Sequence, residues 1–327
     1  MGVYGLLWAV RVLVLLQSVA GILGWGKEGH YATCKIAEGY LTAEALAAVK
    51  ELLPESAEGD LANVCSWPDE IRFHYHWSSA LHYVDTPDFR CNYEYCSKFG
   101  LARQFLGDCH DSSGRKDRCV SGAIYNYTSQ LSSLYQNSIS ESNYNLTEAL
   151  LFLSHFIGDV HQPLHVGFLG DLGGNTIQVR WYRRKSNLHH VWDNMIIESA
   201  LKTFYSSDLA TMIRAIQNNI TVYLSFYPIS LIAYWKMACT LENWSNQQPL
   251  WEHCAHNHTV CPNLYASESI SLACKFAYKN AAPGSTLEDD YFLSRLPIVE
   301  KRLAQGGIRL AAILNRIFAS HMKIARA

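Results

Sequence analysis

Residues 150–165 read LLFLSHFIGDVHQPLH, an apolar run that carries His155, Asp159, His161 and His165. His155 and Asp159 are four apart, so on a helix both side chains leave one face and can grip one ion. The same H-x-x-x-D spacing recurs at His189 and Asp193, inside NLHHVWD. Imidazole with carboxylate and no thiolate is the ligand set of catalytic zinc rather than of closed structural zinc. Asp69 in SWPDEIR and His82 in LHYVDTP add two more donors. Each of these residues alone reads as a satisfied buried polar group or a helix-capping aspartate. Together, left unpaired in apolar segments, they would cost on the order of several kcal/mol each, and a bound cation removes that cost. His165 lies past Pro163, where the chain turns, and can face the same cavity from another angle. His161, six residues from His155, points elsewhere and is expected behind the ligands or on the surface.

A further donor set stands in WGKEGH, at Trp25 to His30. The preceding residues 1–24 carry one basic residue, Arg11, and then an apolar run ending in small residues, the layout of a secretory signal peptide. An uncleaved anchor is the alternative, because the residues before Arg11 are also apolar. Cleavage before Trp25 would free an α-amine that, with the Trp25 carbonyl and the His30 imidazole, can chelate a metal. The plainer reading makes Trp25 a core anchor and His30 a helix-surface residue. Ten cysteines and five N-x-S/T sequons (Asn126, Asn145, Asn219, Asn243 and Asn257) fit an oxidising, glycosylating route to the exterior or a vacuole. Asn145 also stands where it can cap the helix that follows.

The elements that must position these residues are helical. Hydrophobic residues make up 49% of the chain and charged ones 17%, enough apolar surface for a substantial core. The net charge of −2 gives no global basic field for nucleic acid, although bound metal can supply local positive charge that composition hides. Residues 31–53 predict two helices with a break near Leu41 and Thr42, Thr42 capping the second. Residues 60–73 predict a short helix, and Phe89 to Val120 a loop region stapled by cysteines. Asn145 to Val160 predicts a strong helix ended by Pro163. Alternation of Ile177, Val179 and Trp181 predicts one strand of a small hairpin. Two helices follow in residues 189–201 and 206–224, and two more after Asp289, broken at Gly306 and Gly307. The expected architecture is one mainly α domain over residues 25–327, with no βαβ repeat, Walker loop or G-x-S-x-G elbow.

Disulfide pairing is only partly legible. Cys34 with Cys65 is plausible across the first helical segments. Cys91, Cys96, Cys109 and Cys119 form one local group expected to pair within itself. Cys239, Cys254, Cys261 and Cys274 form another. No C-x-x-C pair occurs, which argues against a thiolate metal site.

WGKEGH, WPDEIR, LHYVDTP, HFIGDVHQPLH, GGNT and NLHHVWD occur in the order found in the S1/P1 nuclease family. The chain resembles the plant bifunctional, endonuclease-type members of that family over nearly all of residues 25–319. The resemblance implies a helical fold shared with bacterial zinc phospholipases C and a cluster of three zinc ions. By motif, Asp69, His82, His155 and Asp159 hold one zinc. His165, His189 and Asp193 hold a second. Trp25, His30 and the bridging Asp159 hold the third. The implied reaction is hydrolysis of single-stranded RNA and DNA to 5′-phosphorylated products, with removal of 3′-phosphates from nucleotides. Asp69, Asp159 and Arg72 carry its catalytic roles. Arg72 is placed to stabilise the phosphoryl oxygens, unless it is a plain surface ion pair. Tyr83 and Asp85 match the base-binding positions, and Asn194 can touch phosphate or base. The patch RWYRRK (Arg180 to Lys185) either tracks a nucleic-acid backbone or is a solvated hairpin. No stable protein partner, no membrane association after cleavage and a monomer are expected.

Two departures from the plant pattern stand out. SKFGLARQFLG, over residues 97–107, intervenes where those relatives run almost directly from a tyrosine-cysteine into DCHD. Leu172 in GDLGGN replaces what is often a lysine. Two rival readings share the ligand set. One is a zinc phospholipase C; the other is a secreted glycoprotein whose zinc cluster only supports the fold.

Overall fold

The computed structural model describes residues 25–95, 107–133, 144–221, 244–254 and 258–319. In chain order the helices are α1 (Lys27–Glu38), α2 (Ala43–Leu52), α3 (Trp67–Ile71), α4 (Val120–Ser133), α5 (Leu146–His161), α6 (Leu188–His190), α7 (Ile196–Phe204), α8 (Leu209–Thr221), α9 (Gln248–Glu252), α10 (Pro262–Leu272) and α11 (Asp289–Ala319). Short 3-10 turns link several of them, and a π-helical turn, Val191–Met195, joins α6 to α7. Among the described residues no helix is long and apolar enough to cross a membrane.

Helix α5 is the centre of the molecule. Asn145 caps it, its side chain accepting from the Glu148 N–H at 3.2 Å. Pro163 ends it, since the residue before a proline is pushed to extended backbone, and Gln162 together with Pro163 opens a 3-10 turn, Pro163–Val166. Every residue from Ala149 to His161 is buried, so the helix has no solvent face beyond its first turn. Tyr127 of α4 stacks on Phe152 at 5.0 Å, and Phe152 on Phe156 at 5.5 Å. Each such buried ring stabilises the core by about 1.5–3 kcal/mol.

Thr42 caps α2 as expected, accepting from the Ala45 N–H at 3.2 Å. The hairpin also forms, with β1 (Gln178–Trp181) antiparallel to β2 (Arg184–Asn187) and Trp181 opposite Arg184. A third short strand, β3 (Thr286–Leu287), pairs parallel to β1 and was not anticipated. The expected break at Gly306 and Gly307 is absent: α11 runs unbroken for 31 residues, with Pro297 inside it. The glycines serve close approach instead. A Cβ on Gly307 would stand 2.4 Å from Ile36 Cγ2, and one on Gly306 3.1 Å from Thr33 Cγ2, so α11 lies directly against α1 at this point.

Three disulfides follow the expected grouping: Cys34–Cys65, Cys109–Cys119 and Cys254–Cys261. The fourth does not. Cys91 pairs with Cys274 across 183 residues, bridging the two cysteine groups. The loop after Asp85 packs against the turn that follows α10, as Phe168 and Tyr278 stacked beside Phe89 show, and chain separation carries no information about that contact. Cys96, Cys239, Asn243 and Asn257 lie outside the described residues, as do residues 97–106 of the inserted stretch.

Candidate metal centre

Seven elements converge on one buried site. His30 comes from α1, Asp69 from α3, and His82 from the end of the 3-10 turn His76–Leu81. His155 and Asp159 come from α5, and His165 from the turn after Pro163. His189 and Asp193 come from α6 and the π-helical turn. None of these eight side chains belongs to a residue more than 6% exposed. Their ligand atoms assemble into three close groups: His30 with Asp69 and His155; His82 with His155 and Asp159; and His165 with His189 and Asp193.

The hydrogen bonds fix which ring nitrogens face inward. His155 Nδ1 donates to the Cys65 carbonyl at 2.8 Å, His165 Nδ1 to the His82 carbonyl at 2.7 Å, and His189 Nδ1 to the Gly173 carbonyl at 2.6 Å. A carbonyl cannot donate, so in a neutral ring each Nε2 carries a lone pair. His165 Nε2 and His189 Nε2 then meet at 3.2 Å, and His155 Nε2 meets His82 Nδ1 at 3.1 Å. Donors bound to one tetrahedral zinc at about 2.0–2.1 Å are about 3.3 Å apart. Asp193 Oδ2 lies 3.3 Å from His189 Nε2, and Asp159 Oδ2 lies 3.0 Å from His82 Nδ1. His30 Nε2 is 3.3 Å from Asp159 Oδ1, and neither atom has a hydrogen-bond partner. Asp69 Oδ1 and His82 Nε2 are likewise buried without one. Converging lone pairs and orphaned donors are what a cation would satisfy, so the residues fit metal.

The electrostatics agree. Burial pushes the Asp193 carboxyl well above the ordinary carboxylate range, and Asp69 and Asp159 push it further, against a hydrogen bond from Gln162. Burial also opposes ionisation of Asp159, yet His155 and His165 hold it well below the ordinary range. Burial pulls the His155 imidazole down, against the attraction of Asp159. A site with three carboxylates this deeply buried is short of positive charge.

The sequence-derived candidates mostly converge here. Trp25 is fully buried beside α5 and α1: a Cβ on Gly158 would meet His30 Nδ1 at 2.7 Å and Trp25 Cδ1 at 3.8 Å, and one on Gly29 would meet Trp25 Cβ at 2.7 Å. Two glycines thus make room for the indole and for His30, whose ring stacks on His155 at 3.7 Å. His30 is therefore not the helix-surface residue of the plainer reading. Arg72 is buried at the edge, 3.9 Å from Asp69 and over the Phe73 ring, so it is no surface ion pair. Tyr83 and Asp85 line a small cleft with Leu164, Leu172, Gly173 and His189. Burial pushes the Asp85 carboxyl up to about 6, with His110 opposing and Asp171 adding to the shift. Asn194 packs on Gly26 and bonds His190 Nδ1 at 3.0 Å. Arg180, Arg183 and Lys185 are exposed on the hairpin.

His161 is fully buried, which rules out the surface alternative, and it faces away from the ligand groups, accepting from Arg309 at 2.8 Å. Gln162 was missed by sequence reasoning. Its amide donates to Asp193 Oδ1 at 2.6 Å and its side-chain carbonyl accepts from the Leu164 N–H, so it orients Asp193 while shaping the turn that bears His165. The signal was present: a polar side chain between His161 and Pro163 in an otherwise buried run.

Residues 25–319 match the family model described as S1/P1 Nuclease. Endonuclease 4 of Arabidopsis thaliana is 65% identical, covering 97% of this chain and 97% of that protein. Endonuclease 5 of the same plant is 59% identical over 98% of this chain and 99% of that protein. Nuclease P1 of Penicillium citrinum is 30% identical over 91% of this chain and 99% of that protein.

Proposed function

We propose that this chain, which belongs to the S1/P1 nuclease family and is a phosphodiester hydrolase, is a secreted zinc-dependent endonuclease of single-stranded RNA and DNA. It leaves 5′-phosphorylated products and also removes 3′-phosphates from nucleotides. The observation that carries the zinc reading is the pair of facing imidazole lone pairs on His165 and His189, closed by Asp193. His165, His189 and Asp193 would hold one ion. Asp69, His82, His155 and Asp159 would hold a second. His30, Asp159 and the amine and carbonyl of a Trp25 freed by removal of residues 1–24 would hold a third. Bound zinc supplies positive charge to phosphoryl oxygens and makes water acidic enough to act near neutral pH.

The chain's own groups do the rest. Arg72, held beside Asp69, aims guanidinium donors at the phosphoryl oxygens, where negative charge grows as phosphorus is attacked. Tyr83 offers a ring face to a base, and Asp85 accepts from its edge, at the cleft that opens beside His189. Asn194 stands ready for a polar contact next to the Trp25 end. A base can enter such a cleft only after leaving its stack, which favours single strands and 3′-nucleotides over duplex. Asn126 and Asn145 are exposed and open to glycosylation, consistent with passage through the secretory pathway. Asn219 is half-buried, and its carbonyl is engaged by the Trp244 N–H at 2.8 Å.

The test is parallel hydrolysis of single-stranded RNA, duplex DNA, a 3′-nucleotide and phosphatidylcholine vesicles by the purified secreted chain, with metal analysis and N-terminal sequencing. The expected result is nucleolysis of the single strand, phosphate release from the 3′-nucleotide, three equivalents of zinc and a Trp25 terminus. Lipid cleavage without nucleolysis would refute the reading.

A further inference from the structure

We propose that Phe89 is an outer stacking platform for the next base of a longer single strand, on the side of the Tyr83–Asp85 cleft away from the cleaved phosphate. The proposal rests on the nuclease reading and extends it along the substrate. Residues 84–88 and 165–170 run side by side as a short ribbon. The Val84 N–H donates to the His165 carbonyl at 2.8 Å, Thr86 N–H to Gly167 at 2.9 Å, and Leu169 N–H to Thr86 at 2.8 Å. The Gly170 N–H closes the outer end on Asp88 Oδ1 at 2.7 Å. His82 and His165 stand at the inner end of this ribbon and Tyr83 and Asp85 along it. Phe89 and Leu169 stand at the outer end, and Leu172 lies in the cleft wall between. A strand whose phosphate sits at the metal ligands and whose base enters the cleft continues outward past Phe89.

Burial gives Phe89 little reason to be a phenylalanine. It is 89% exposed, so little of its apolar surface gains from burial. Its φ is +62°, in the left-handed region that asparagine or glycine adopts at lower cost than a bulky residue. Such a conformation is held by what surrounds it. The ring leans on Phe168 at 5.9 Å and 48°, and Phe168 stacks on Tyr278 at 4.6 Å and 8°. The Tyr278 hydroxyl accepts from the Phe168 N–H at 3.0 Å, and the Cys91–Cys274 disulfide ties the same loop to the same turn. Leu172, 50% exposed, also has a positive φ, +54°. Two apolar side chains are thus held out into water, Leu172 in the cleft wall and Phe89 at the outer end of the ribbon.

Charge selects the occupant. Asp85 and Asp88 stand on the ribbon and Asp171 beside it, so a strand crossing here turns its phosphates to solvent and its uncharged bases to the ring. Aromatic stacking suits any base and gives no sequence preference. The same acids disfavour an anionic membrane surface.

The test compares Phe89→Ala and Phe89→Trp with the parent on a dinucleotide and on an oligonucleotide long enough to reach the platform. It is joined by equilibrium binding of a phosphorothioate strand carrying 2-aminopurine, whose fluorescence is quenched on stacking. Phe89→Ala should raise KM for the oligonucleotide about tenfold, in line with the usual strength of base–aromatic stacking, weaken strand binding by a similar factor and lose the quenching. Its kcat and its dinucleotide kinetics should stay at the parent values, and Phe89→Trp should restore affinity and quenching. Unchanged strand binding in Phe89→Ala would overturn the platform, and so would an equal loss on the dinucleotide. Failure of the single-strand reading itself shows separately, as a parent enzyme that cuts neither substrate; the binding arm still decides the platform in that case.

Discussion

His165 Nε2 and His189 Nε2 face each other at 3.2 Å while both Nδ1–H groups are committed to backbone carbonyls. Two lone pairs at that distance repel unless a cation or a proton lies between them, and Asp193 adds a third donor. The apo protein must therefore hold this repulsion, take up a proton between the rings or rearrange. Stripping metal with a strong chelator should abolish hydrolysis and lower Tm by several degrees. A ligand held at a thousandfold its Kd stabilises by about 4 kcal/mol. Zinc should restore both quantities and magnesium neither, because imidazole nitrogen suits zinc and not magnesium. Calorimetry with and without added zinc measures it. An unchanged Tm after verified metal loss would remove the ions from the account of the fold.

Asp159 reaches toward four histidines, with Oδ2 at 3.0 Å from His82 and 3.2 Å from His155, and Oδ1 at 3.3 Å from His30 and 3.6 Å from His165. Asp159→Asn keeps the shape and removes the charge. It should lose at least one bound zinc and lower kcat by about a thousandfold, in the range found when one electrostatic contact to the transition state is removed. Circular dichroism should be unchanged. Full metal content in the variant would show that Asp159 does not bridge.

A substitution at Arg72 can separate binding from chemistry. Its guanidinium is planar and forked, whereas lysine offers a single point charge. Arg72→Lys should lower kcat by about tenfold to a hundredfold with KM little changed and zinc content intact. A loss confined to KM would make it a docking residue for the strand.

The cluster was legible because H-x-x-x-D on a helix puts both side chains on one face, and several histidines in one apolar run need a common partner. The structure brings His155 beside Asp159 and His189 beside Asp193, the two pairs whose spacing was read from the sequence, and adds His165 to the second. What sequence hid depends on contacts between distant segments. Gly306 and Gly307 read locally as a helix break, yet they permit α11 to touch Thr33 and Ile36. Cys91 had nearer candidates than Cys274, but the fold brings the loop to the turn. His161 could not be assigned because its partner Arg309 is 148 residues away. The π-helical turn at Asp193 leaves no composition signal, and such turns cluster at functional sites because one extra residue re-aims a side chain.

Trp25 gives a prediction about processing. A residue left ahead of it turns its amine into a peptide nitrogen, which does not coordinate as an amine does. A secreted form extended by one alanine should bind one zinc fewer and lose most of its activity while folding normally. Mass spectrometry under native conditions counts the ions directly, and three zincs in the extended form would end the terminal-amine role.

The acid limit of stability should trace to a cluster on the back of α5. Arg302 donates to the His161 carbonyl at 3.0 Å and to Glu268 at 2.7 Å, and Arg309 donates to both Glu268 oxygens at 2.6 and 2.8 Å. These bonds pin the end of the helix that bears His155 and Asp159. Burial pushes the Glu268 carboxyl up, but the Arg309 hydrogen bonds and the charges of both arginines outweigh it and hold the pKa down to about 2. The folded value lies below the ordinary 4.5, so the cluster's contribution is complete above about pH 4.5 and is lost as pH falls from there through about 2. Glu268→Gln should cost about 3 kcal/mol at neutral pH, because two buried guanidiniums lose their counter-charge. Below pH 4.5 the gap between parent and variant should narrow steadily. Tm measured for the zinc-loaded forms from pH 7 to pH 3 tests this. The same gap at every pH would show that Glu268 is not the titrating group.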